Sequence, residues 1–179
     1  MFDAARPLLY ITLAPECLTI RNLRSGLVIA EVPELAMSRS PKPEILGVGS
    51  KARQAAAAQA AQAAQVINPF DHPRSLVADF TAAEQVLRLL VRQATGHSFF
   101  AMAPIIFIHP LGEPEGGFTQ LEYRAFREMA LGAGASRVYL LEGKLLTDRE
   151  ILQLEKEGRR IRGFGDETRG AGGGNRSGL

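Results

Sequence analysis

Apolar and polar residues follow one another along the chain in a pattern that predicts a mixed α/β fold. Two short strands come first, at Leu8–Leu13 and Leu18–Asn22, and each has apolar residues at regular spacing. A third β-rich stretch, Leu27–Met37, follows the turn signal Arg24-Ser25-Gly26. Because short turns join antiparallel neighbours, we expect these three stretches to form a meander.

A less regular region follows the meander. Ser38–Glu44 contains two prolines and is expected to be a loop, and Ile45–Gly49 has the composition of a short strand. Lys51–Gln65 consists mostly of Ala and Gln, which have high helix propensity, so a surface helix is predicted there. A partner-binding helix is the alternative. Asn68–Pro73 should end this helix, and Ser75–Phe80 is expected to be extended.

From Thr81 onward, helices and strands are expected to alternate. Each predicted helix opens with Thr and has Glu three residues later, which is the pattern of a capping box. The strand at Pro104–His109 is continuously apolar, as parallel strands buried on both faces usually are, and Arg137–Leu141 is expected to be another core strand. In order, the predicted elements are a helix at Thr81–Thr95, a strand at Pro104–His109, a helix opening at Thr119, a strand at Arg137–Leu141 and a helix from Thr147 to about Arg160. The inner face of the helix that opens at Thr119 is expected to contain Phe126, Met129 and Ala130.

A β-meander followed by alternating helices and strands is the element order of the ribonuclease H-like fold. We therefore predict a single α/β domain with a mixed sheet, in which an antiparallel meander and parallel strands are flanked by helices. Nucleases, sugar kinases, heat-shock ATPases and actins share this fold, so the topology alone does not select a function.

Composition narrows the class of protein. Apolar residues make up 46% and charged residues 22%, which is ordinary for a globular domain. The single cysteine excludes an internal disulfide and fits a reducing compartment. The first residues make a poor signal peptide, and no apolar run approaches the roughly 20 residues of a membrane span. A cytoplasmic location is expected.

Charge is concentrated at the end of the chain. From Gly158 to Leu179, five arginines and two acidic residues give +3, which leaves −1 for the remainder because the total is +2. A near-neutral body provides no basic face for nucleic acid, so that class of partner is excluded. His72, His97 and His109 do not have the spacing of a metal site, and no metal is expected.

Five short segments, in collinear order, resemble the MreB family of bacterial actin-like proteins, which organise rod-shaped growth. The family motifs that they match contain VG-x-x-A, I-R-P, VIADF, TQVERRAI and GAGA-x-x-V-F-L-I-E-E-P. The likeness extends from Leu8 to about Glu142, and its last two segments are the most specific. The segments are Val48–Ala52, Ile67–Pro69, Val77–Phe80, Thr119–Glu128 and Gly132–Glu142.

The chain departs from the family at the first turn, where MreB has IDLGTANT. The family's Asp falls on Thr12, its Gly on Ala14, its Thr on Pro15 and its Asn on Cys17. Pro15 has no N–H to donate, and Ala14 adds a Cβ where backbone should approach phosphate. The Glu16 carboxylate would repel phosphate by roughly 1 to 4 kcal/mol. The resemblance therefore implies a degenerate phosphate turn and no nucleotide cofactor.

The resemblance also implies changes in two more features of the family: the second part of the nucleotide site and the catalytic glutamate. MreB has its second phosphate loop and adenosine pocket beyond the segment that ends here at Glu142, so the chain is expected to correspond to a truncated first half of the family. Glu122 matches the family glutamate that positions the attacking water. Without a nucleotide cleft, we expect Glu122 to be vestigial in catalysis and to cap the helix at Thr119 instead.

The loop before the strand at Pro104–His109 contains Phe99, Phe100 and Met102. The MreB loop at this place inserts apolar residues into the inner membrane, so the resemblance implies lipid contact for these three side chains. Packing of one ring under the neighbouring helix is the alternative. The basic segment Arg159–Arg162 would add attraction to anionic lipid, or would simply complement the helix dipole.

These observations predict an MreB-like domain at residues 1–146, a C-terminal helix at 147–162 and a disordered Gly/Arg tail at 163–179. The predicted function is binding without catalysis, to an MreB-type filament or a cell-shape complex, in the cytoplasm or on the cytoplasmic face of the inner membrane. One alternative is an actin-like ATPase that a second chain completes. Another is a structural remnant with no retained role.

Overall fold

The computed structural model describes residues 6–59, 64–72, 75–96, 102–112 and 117–157. These residues form eight strands and four helices, with a 3-10 turn at Gly49–Lys51 before the first helix. The strands are β1 (Leu8–Leu13), β2 (Leu18–Asn22), β3 (Val28–Glu31), β4 (Leu35–Ser38), β5 (Ile45–Val48), β6 (Ala64–Ile67), β7 (Ile105–Pro110) and β8 (Arg137–Leu140). The helices are α1 (Ala52–Ala58), α2 (Phe80–Thr95), α3 (Gln120–Gly132) and α4 (Asp148–Glu157).

The main sheet has five strands in the order β3-β2-β1-β7-β8. The meander β1–β2–β3 is antiparallel, whereas β7 lies parallel to both β1 and β8. This arrangement confirms the predicted mixed sheet with antiparallel and parallel parts. Strand β1 is central, and Thr12 near its end lies opposite Thr19 on β2 and His109 on β7.

Both faces of the main sheet are covered. Side chains alternate between the faces of a strand, so Leu9, Ile11 and Leu13 of β1 point to one face and Leu8 and Tyr10 to the other. The larger core lies on the first face, under α2 and α3. The predicted inner face of α3 is confirmed, since its buried residues are Phe126, Met129 and Ala130.

A smaller apolar cluster lies on the second face, under α4. Its buried members come from β1, β7, the end of β8 and α4: Leu8, Tyr10, Ile105, Phe107, Leu141 and Ile151. The ring of Phe107 stacks on that of Tyr139, with centroids 4.7 Å apart. The main sheet is therefore the middle layer of a helix–sheet–helix sandwich.

The chain leaves the main sheet after β3, which corrects the prediction of one β-rich stretch at Leu27–Met37. Residues 32–34 are not in a strand, and β4 then joins a second, three-stranded sheet in the order β5-β4-β6. Both pairings in this small sheet are antiparallel. Helix α1 packs against it.

The predicted helix at Lys51–Gln65 is wrong at its end, where Ala64 and Gln65 lie in a strand. Helix α1 ends at Ala58, and Ala64–Ile67 forms β6, which pairs with β4. An Ala/Gln run has helix propensity but no bulky apolar stripe, so little packing energy holds it helical. Pairing with β4 provides backbone hydrogen bonds instead.

The predicted cap at Thr81 is also wrong, as is the extended segment Ser75–Phe80. Helix α2 begins at Phe80, and the Asp79 carboxylate caps it by accepting from the Ala82 N–H at 3.0 Å. No strand is found in the described residues before it, from 75 to 79. Asp and Thr are both good N-caps, so a two-residue shift changes the cap without changing the helix face. The predicted end of α4 near Arg160, and the tail 163–179, lie outside the described residues.

Candidate functional site

The candidate site lies at the carboxyl edge of β1 and β7. These strands are parallel, so both end at this edge, where ligands bind in open α/β sheets. The Leu111 N–H donates to the Leu13 carbonyl at 2.7 Å and holds the two strand ends together. Three segments surround this point: the β1–β2 turn at 14–17, the loop at 68–70 after β6, and the first turn of α3.

The β1–β2 turn is closed by its own backbone. The Ala14 N–H donates to the Cys17 carbonyl at 3.0 Å, and Pro15 has no N–H. The Asn68 side-chain amide donates to the Pro15 carbonyl at 2.7 Å, and its oxygen accepts from the Phe70 N–H at 3.0 Å. A phosphate cradle needs several backbone N–H groups that converge on one point, so this turn does not fit a nucleotide phosphate.

The side chains around the turn do not fit a metal-bound nucleotide either. Thr12 is half-buried on β1 and brings no carboxylate, while Glu16 is exposed. Cys17 is exposed, with its Sγ 3.6 Å from the Thr19 hydroxyl. In the part of the chain that the structure describes, no group of three or more His, Cys, Asp or Glu side chains could hold a metal ion.

Glu122 joins α3 to the segment before α2. One oxygen of its carboxylate accepts from the backbone N–H and the hydroxyl of Thr119, at 2.8 and 2.9 Å. The other oxygen accepts from the Ser75 hydroxyl at 3.2 Å. Burial alone would raise the pKa of Glu122, but hydrogen bonds from Thr119, Ser75 and the Leu76 N–H outweigh it and lower the pKa. The predicted capping box is present, and both oxygens are occupied by the protein itself.

Tyr123, the next residue, connects α3 to the end of β8. Partial burial and a hydrogen bond to the Glu142 carboxylate raise the pKa of Tyr123 to about 12. Its ring also meets Phe118 edge-on, with centroids 6.0 Å apart. The first turn of α3 is thus held by side-chain contacts on two sides.

His109 is almost completely buried behind this edge. Its Nε2 lies 3.1 Å from the Gly143 carbonyl, which can only accept, so Nε2 carries the proton. Nδ1 then accepts from the Tyr10 hydroxyl at 2.9 Å, and the Tyr10 oxygen accepts from the Leu146 N–H at 3.2 Å. Burial lowers the pKa of His109 and favours this neutral form. The relay ties the segment after β8 to the central strands.

Of the three side chains that were predicted to contact lipid, only Met102 lies in the described part of the structure. Phe99 and Phe100 lie outside the described residues, and Met102 is half-buried just before β7. None of the helices in the described ranges is long and apolar enough to cross a membrane.

The roles of four residues at this edge were not expected from the sequence: Asn68, Ser75, Tyr10 and His109. The sequence could have indicated the role of Asn68, because an Asn before Pro commonly forms a hydrogen bond with nearby backbone in a turn. No local pattern indicated the bond from Ser75 to Glu122 or the bond from Tyr10 to His109. The bonded residues are 47 and 99 positions apart in the sequence.

Comparison with known families and proteins agrees with the resemblance found in the motifs. The family described as MreB/Mbl protein matches residues 15–147. The cell shape-determining protein MreB of Escherichia coli (strain K12) is 33% identical over 122 residues, which are 65% of this chain and 33% of that protein. The Haemophilus influenzae protein of the same name is 25% identical over 119 residues, or 66% of this chain and 33% of that protein.

Solved structures agree on the fold. MreB5 of Spiroplasma citri bound to ADP superposes with a TM-score of 0.59 at 19% identity, covering 78% of this chain and 39% of that one. A non-polymerising mutant of MamK bound to AMPPNP has a TM-score of 0.60 at 13% identity, covering 76% and 41%. The predicted actin-like α/β fold is confirmed. The chain spans about a third of the length of the curated relatives that it matches, 33% in the E. coli case.

Proposed function

The chain belongs to the MreB/Mbl family of cell-shape cytoskeletal proteins, and from that premise we propose that it is a binding member of the family without a working nucleotide site. In this proposal it acts by contact with an MreB-type filament or a cell-shape complex. It does so in the cytoplasm or at the cytoplasmic face of the inner membrane, and it is not an enzyme.

The β1–β2 turn is the observation that carries the proposal. Its first N–H is used within the turn, its second residue is Pro15, and Glu16 adds a negative charge beside them. The family match begins at residue 15, so the strand and the first turn residue lie outside it. A site that binds phosphate would be expected to keep donors there.

Glu122 supports the same conclusion. In the proposal its carboxylate is vestigial for catalysis, because both oxygens accept hydrogen bonds from Thr119 and Ser75. A carboxylate that positions water needs a free lone pair directed at the nucleophile. Here three of the hydrogen bonds to the carboxylate already come from the protein itself, two from Thr119 and one from Ser75.

Filament binding is the partner that the relatives favour. The curated relatives are named cell shape-determining proteins, and one structural neighbour was made non-polymerising by mutation. A chain with the fold of part of such a protein can present a similar surface to a filament. We expect the bound species to be MreB-type subunits and not nucleic acid.

Co-sedimentation with purified MreB filaments tests this proposal. The full chain should pellet with the filaments and stay in the supernatant alone. The Glu122→Gln variant should pellet equally, because in the proposal this carboxylate has no catalytic part. If neither protein pellets across a range of filament concentrations, filament binding is wrong.

The second candidate is an ATPase that another chain completes. The ADP and AMPPNP in the neighbouring structures favour it, since this fold binds such nucleotides in those proteins. It predicts that mixing the chain with MreB raises ATP hydrolysis above that of MreB alone. The proposed function predicts no increase.

Membrane contact through Phe99, Phe100 and Met102 is a separate part of the proposal. Flotation with phosphatidylglycerol vesicles should carry some of the wild-type chain upward. A Phe99→Ser/Phe100→Ser variant should float less, and Met102→Leu, which keeps an apolar side chain, should float like wild type. Equal flotation of all three would show that these rings do not contact lipid.

A further inference from the structure

Strand β3 forms one edge of the main sheet, and its outer side has backbone groups without partners. In the described residues its only neighbouring strand is β2. The Asn22 N–H donates to the Leu27 carbonyl at 2.8 Å, so the Leu27 carbonyl faces β2. Because these directions alternate along a strand, the N–H and C=O groups of Val28 and Ala30 point away from the sheet. Within the described ranges these four groups have no hydrogen-bond partner.

The exposed side chains of this edge are apolar. Val28 and Ala30 point to the second face of the sheet, where Val28 is 57% exposed and Ala30 is also exposed. Leu27 and Val32, which flank β3, are 45% and 42% exposed. None of the four side chains carries a charge that would oppose strand pairing. An edge strand of this kind can accept a further strand.

The size of the edge favours an occupant from the same chain. Each partner in a specific protein–protein interface buries roughly 800 Å². Strand β3 has four residues, and its exposed apolar side chains are two valines, one leucine and one alanine when the flanking residues are included. A tethered segment needs less area, because its tether keeps it near the edge at an effective concentration of about millimolar.

The described part of the chain ends beside this edge. Near the end of α4, the Arg24 side chain donates to both oxygens of Glu155, at 2.6 and 2.7 Å. Arg24 lies in the turn that joins β2 to β3. Helix α4 ends at Glu157, so the chain that follows starts close to the first residues of β3.

The sequence after Glu157 can supply an edge strand. Gly158 comes directly after α4, where a glycine commonly ends a helix and lets the chain change direction. Two large apolar residues follow, Ile161 and Phe164. At about 3.3 Å per residue, an extended chain from Glu157 reaches roughly 13 Å at Ile161 and roughly 23 Å at Phe164. The four residues of β3 span about 13 Å, so the segment is long enough to follow the whole strand.

We propose that Arg159–Phe164 adds to the β3 edge as a sixth strand of the main sheet, parallel to β3. The segment and β3 start at the same end of the sheet, so they run in the same direction. The backbone of the segment bonds to the outward groups of Val28 and Ala30. Ile161 and Phe164 are three positions apart, so their side chains lie on opposite faces of the sheet.

The added strand closes the edge of the main sheet. One of its two apolar side chains packs beside Val28 on the second face, and the other beside the half-buried Ile29 on the first face. A second copy of the chain then cannot pair with β3. The proposal gives an extended conformation to residues that the sequence pattern predicted as a helix end and a tail. It is independent of the proposed function, because β3 lies apart from the β1–β2 turn.

Hydrogen exchange at the β3 edge tests whether the segment pairs there. In the full chain the Val28 and Ala30 amides should be protected, and an Ile161→Ser/Phe164→Ser variant should exchange them about tenfold faster. Leu179→Ser, the matched control, removes another large apolar side chain near the end of the chain and should match wild type. Equal exchange in the wild type and the double variant would overturn the proposal. Protection that grows with protein concentration would also overturn it, because a second copy would then occupy the edge.

Cleavage by an arginine-specific protease tests the same contact from the side of the edge. In the wild-type chain, cleavage after Arg162 should be about fivefold slower than after Arg176, which lies beyond the added strand. Val28→Lys places a positive charge against the basic segment and should remove this difference. Val66→Lys, at an exposed valine on the edge strand β6, should leave the difference unchanged. Equal cleavage at the two arginines in wild type, or the same difference in Val28→Lys, would contradict the added strand.

Discussion

The carboxylate of Glu122 accepts hydrogen bonds at both oxygens, and those bonds join two segments that are 47 residues apart. A capping box alone would use one oxygen, toward Thr119. The second bond, from Ser75, makes this residue a bracket between α3 and the segment before α2. Glu122 should therefore contribute to the free energy of unfolding.

Removal of the bracket should lower the free energy of unfolding. Thr119→Ala and Glu122→Gln should each cost about 1 kcal/mol, the usual value for a lost N-cap interaction. Because both changes remove the same hydrogen bonds, the double variant should cost less than the sum of the two. Urea denaturation followed by circular dichroism would measure all three values.

A matched control is Thr147→Ala, which removes the similar box at the start of α4 without touching Glu122. Its cost should add to that of Glu122→Gln. If Glu122→Gln left stability unchanged and instead altered nucleotide turnover, the bracket role would be wrong and the catalytic role restored.

His109 makes stability depend on pH. Burial lowers its pKa in the folded protein below the ordinary 6.5, so the unfolded chain binds the proton first as the pH falls. The contribution of neutral His109 to stability is complete above about pH 6.5 and declines as the pH falls toward the lowered folded value. Protonation would also put a second N–H opposite the Tyr10 hydroxyl, which then has to reorient.

Urea denaturation between pH 7.5 and 5 should show this decline in the wild-type chain. A His109→Asn variant should be less stable at pH 7.5 but should lose less stability on acidification. The lowered pKa values of Glu34, Glu122 and Glu150 affect stability only below about pH 4.5, their ordinary value, so they stay outside this window. Parallel pH profiles for the two proteins would contradict the assignment to His109.

Sequence was informative at the residue scale wherever the partners are close in the chain. The Thr119–Glu122 box and the unusual turn at Pro15 were visible because each motif spans four residues or fewer. The bonds from Asn68 to Pro15 and from Tyr10 to His109 join residues 53 and 99 positions apart. No local pattern predicts which distant donor will meet a given acceptor.

At the scale of elements, β5 and α1 approach each other closely at Gly47. A Cβ at this position would lie 2.9 Å from the Ala55 Cβ and 3.2 Å from the Lys51 carbonyl oxygen. Gly47→Ala should therefore destabilise the small sheet by about 1–2 kcal/mol through overpacking. Thermal denaturation of the variant would measure the loss.

The companion change Ala55→Gly removes the side chain that the new methyl group would strike. On its own it should cost up to about 1 kcal/mol, because glycine is a poor helix former. Combined with Gly47→Ala, it should give a smaller total loss than the two separate costs predict. An additive double variant would show that the contact between β5 and α1 is not tight.

Elements with a strong apolar pattern were predicted well, and those without one were not. Strand β7 is buried at all six positions, and the α3 stripe matched its buried face. In contrast, the run after Lys51 has neither a stripe nor an alternation, so propensity alone predicted helix as far as Gln65. Pairing with β4 determines the state of Ala64–Ile67, and that pairing is tertiary.

At the scale of the whole molecule, the central sheet could be predicted because its topology follows from the order of elements. The second sheet could not, because the break after β3 carries no Gly or Asn signal, only Pro33 in a stretch whose other residues are compatible with a strand. The position of α4 was not predicted for a different reason. An amphipathic helix specifies that one face is buried, but not which side of a sheet it covers.

Three features define the molecule at this scale: an actin-like domain, a β1–β2 turn closed by its own backbone, and a helix that covers the second sheet face. They are the basis of the proposal that this family member acts by binding, without a working nucleotide site. The proposed function requires that the chain does not bind nucleotide.

The most direct test is a titration of the full chain with a fluorescent ATP analogue and Mg²⁺, with and without purified MreB. A Thr12→Asp/Ala14→Gly/Pro15→Thr variant, which restores the family residues in the turn, is the matched comparison. The proposed function predicts no binding by the wild-type chain and no increase over MreB alone when the two are mixed. Micromolar binding by the wild-type chain would contradict it and make the ATPase hypothesis the better one.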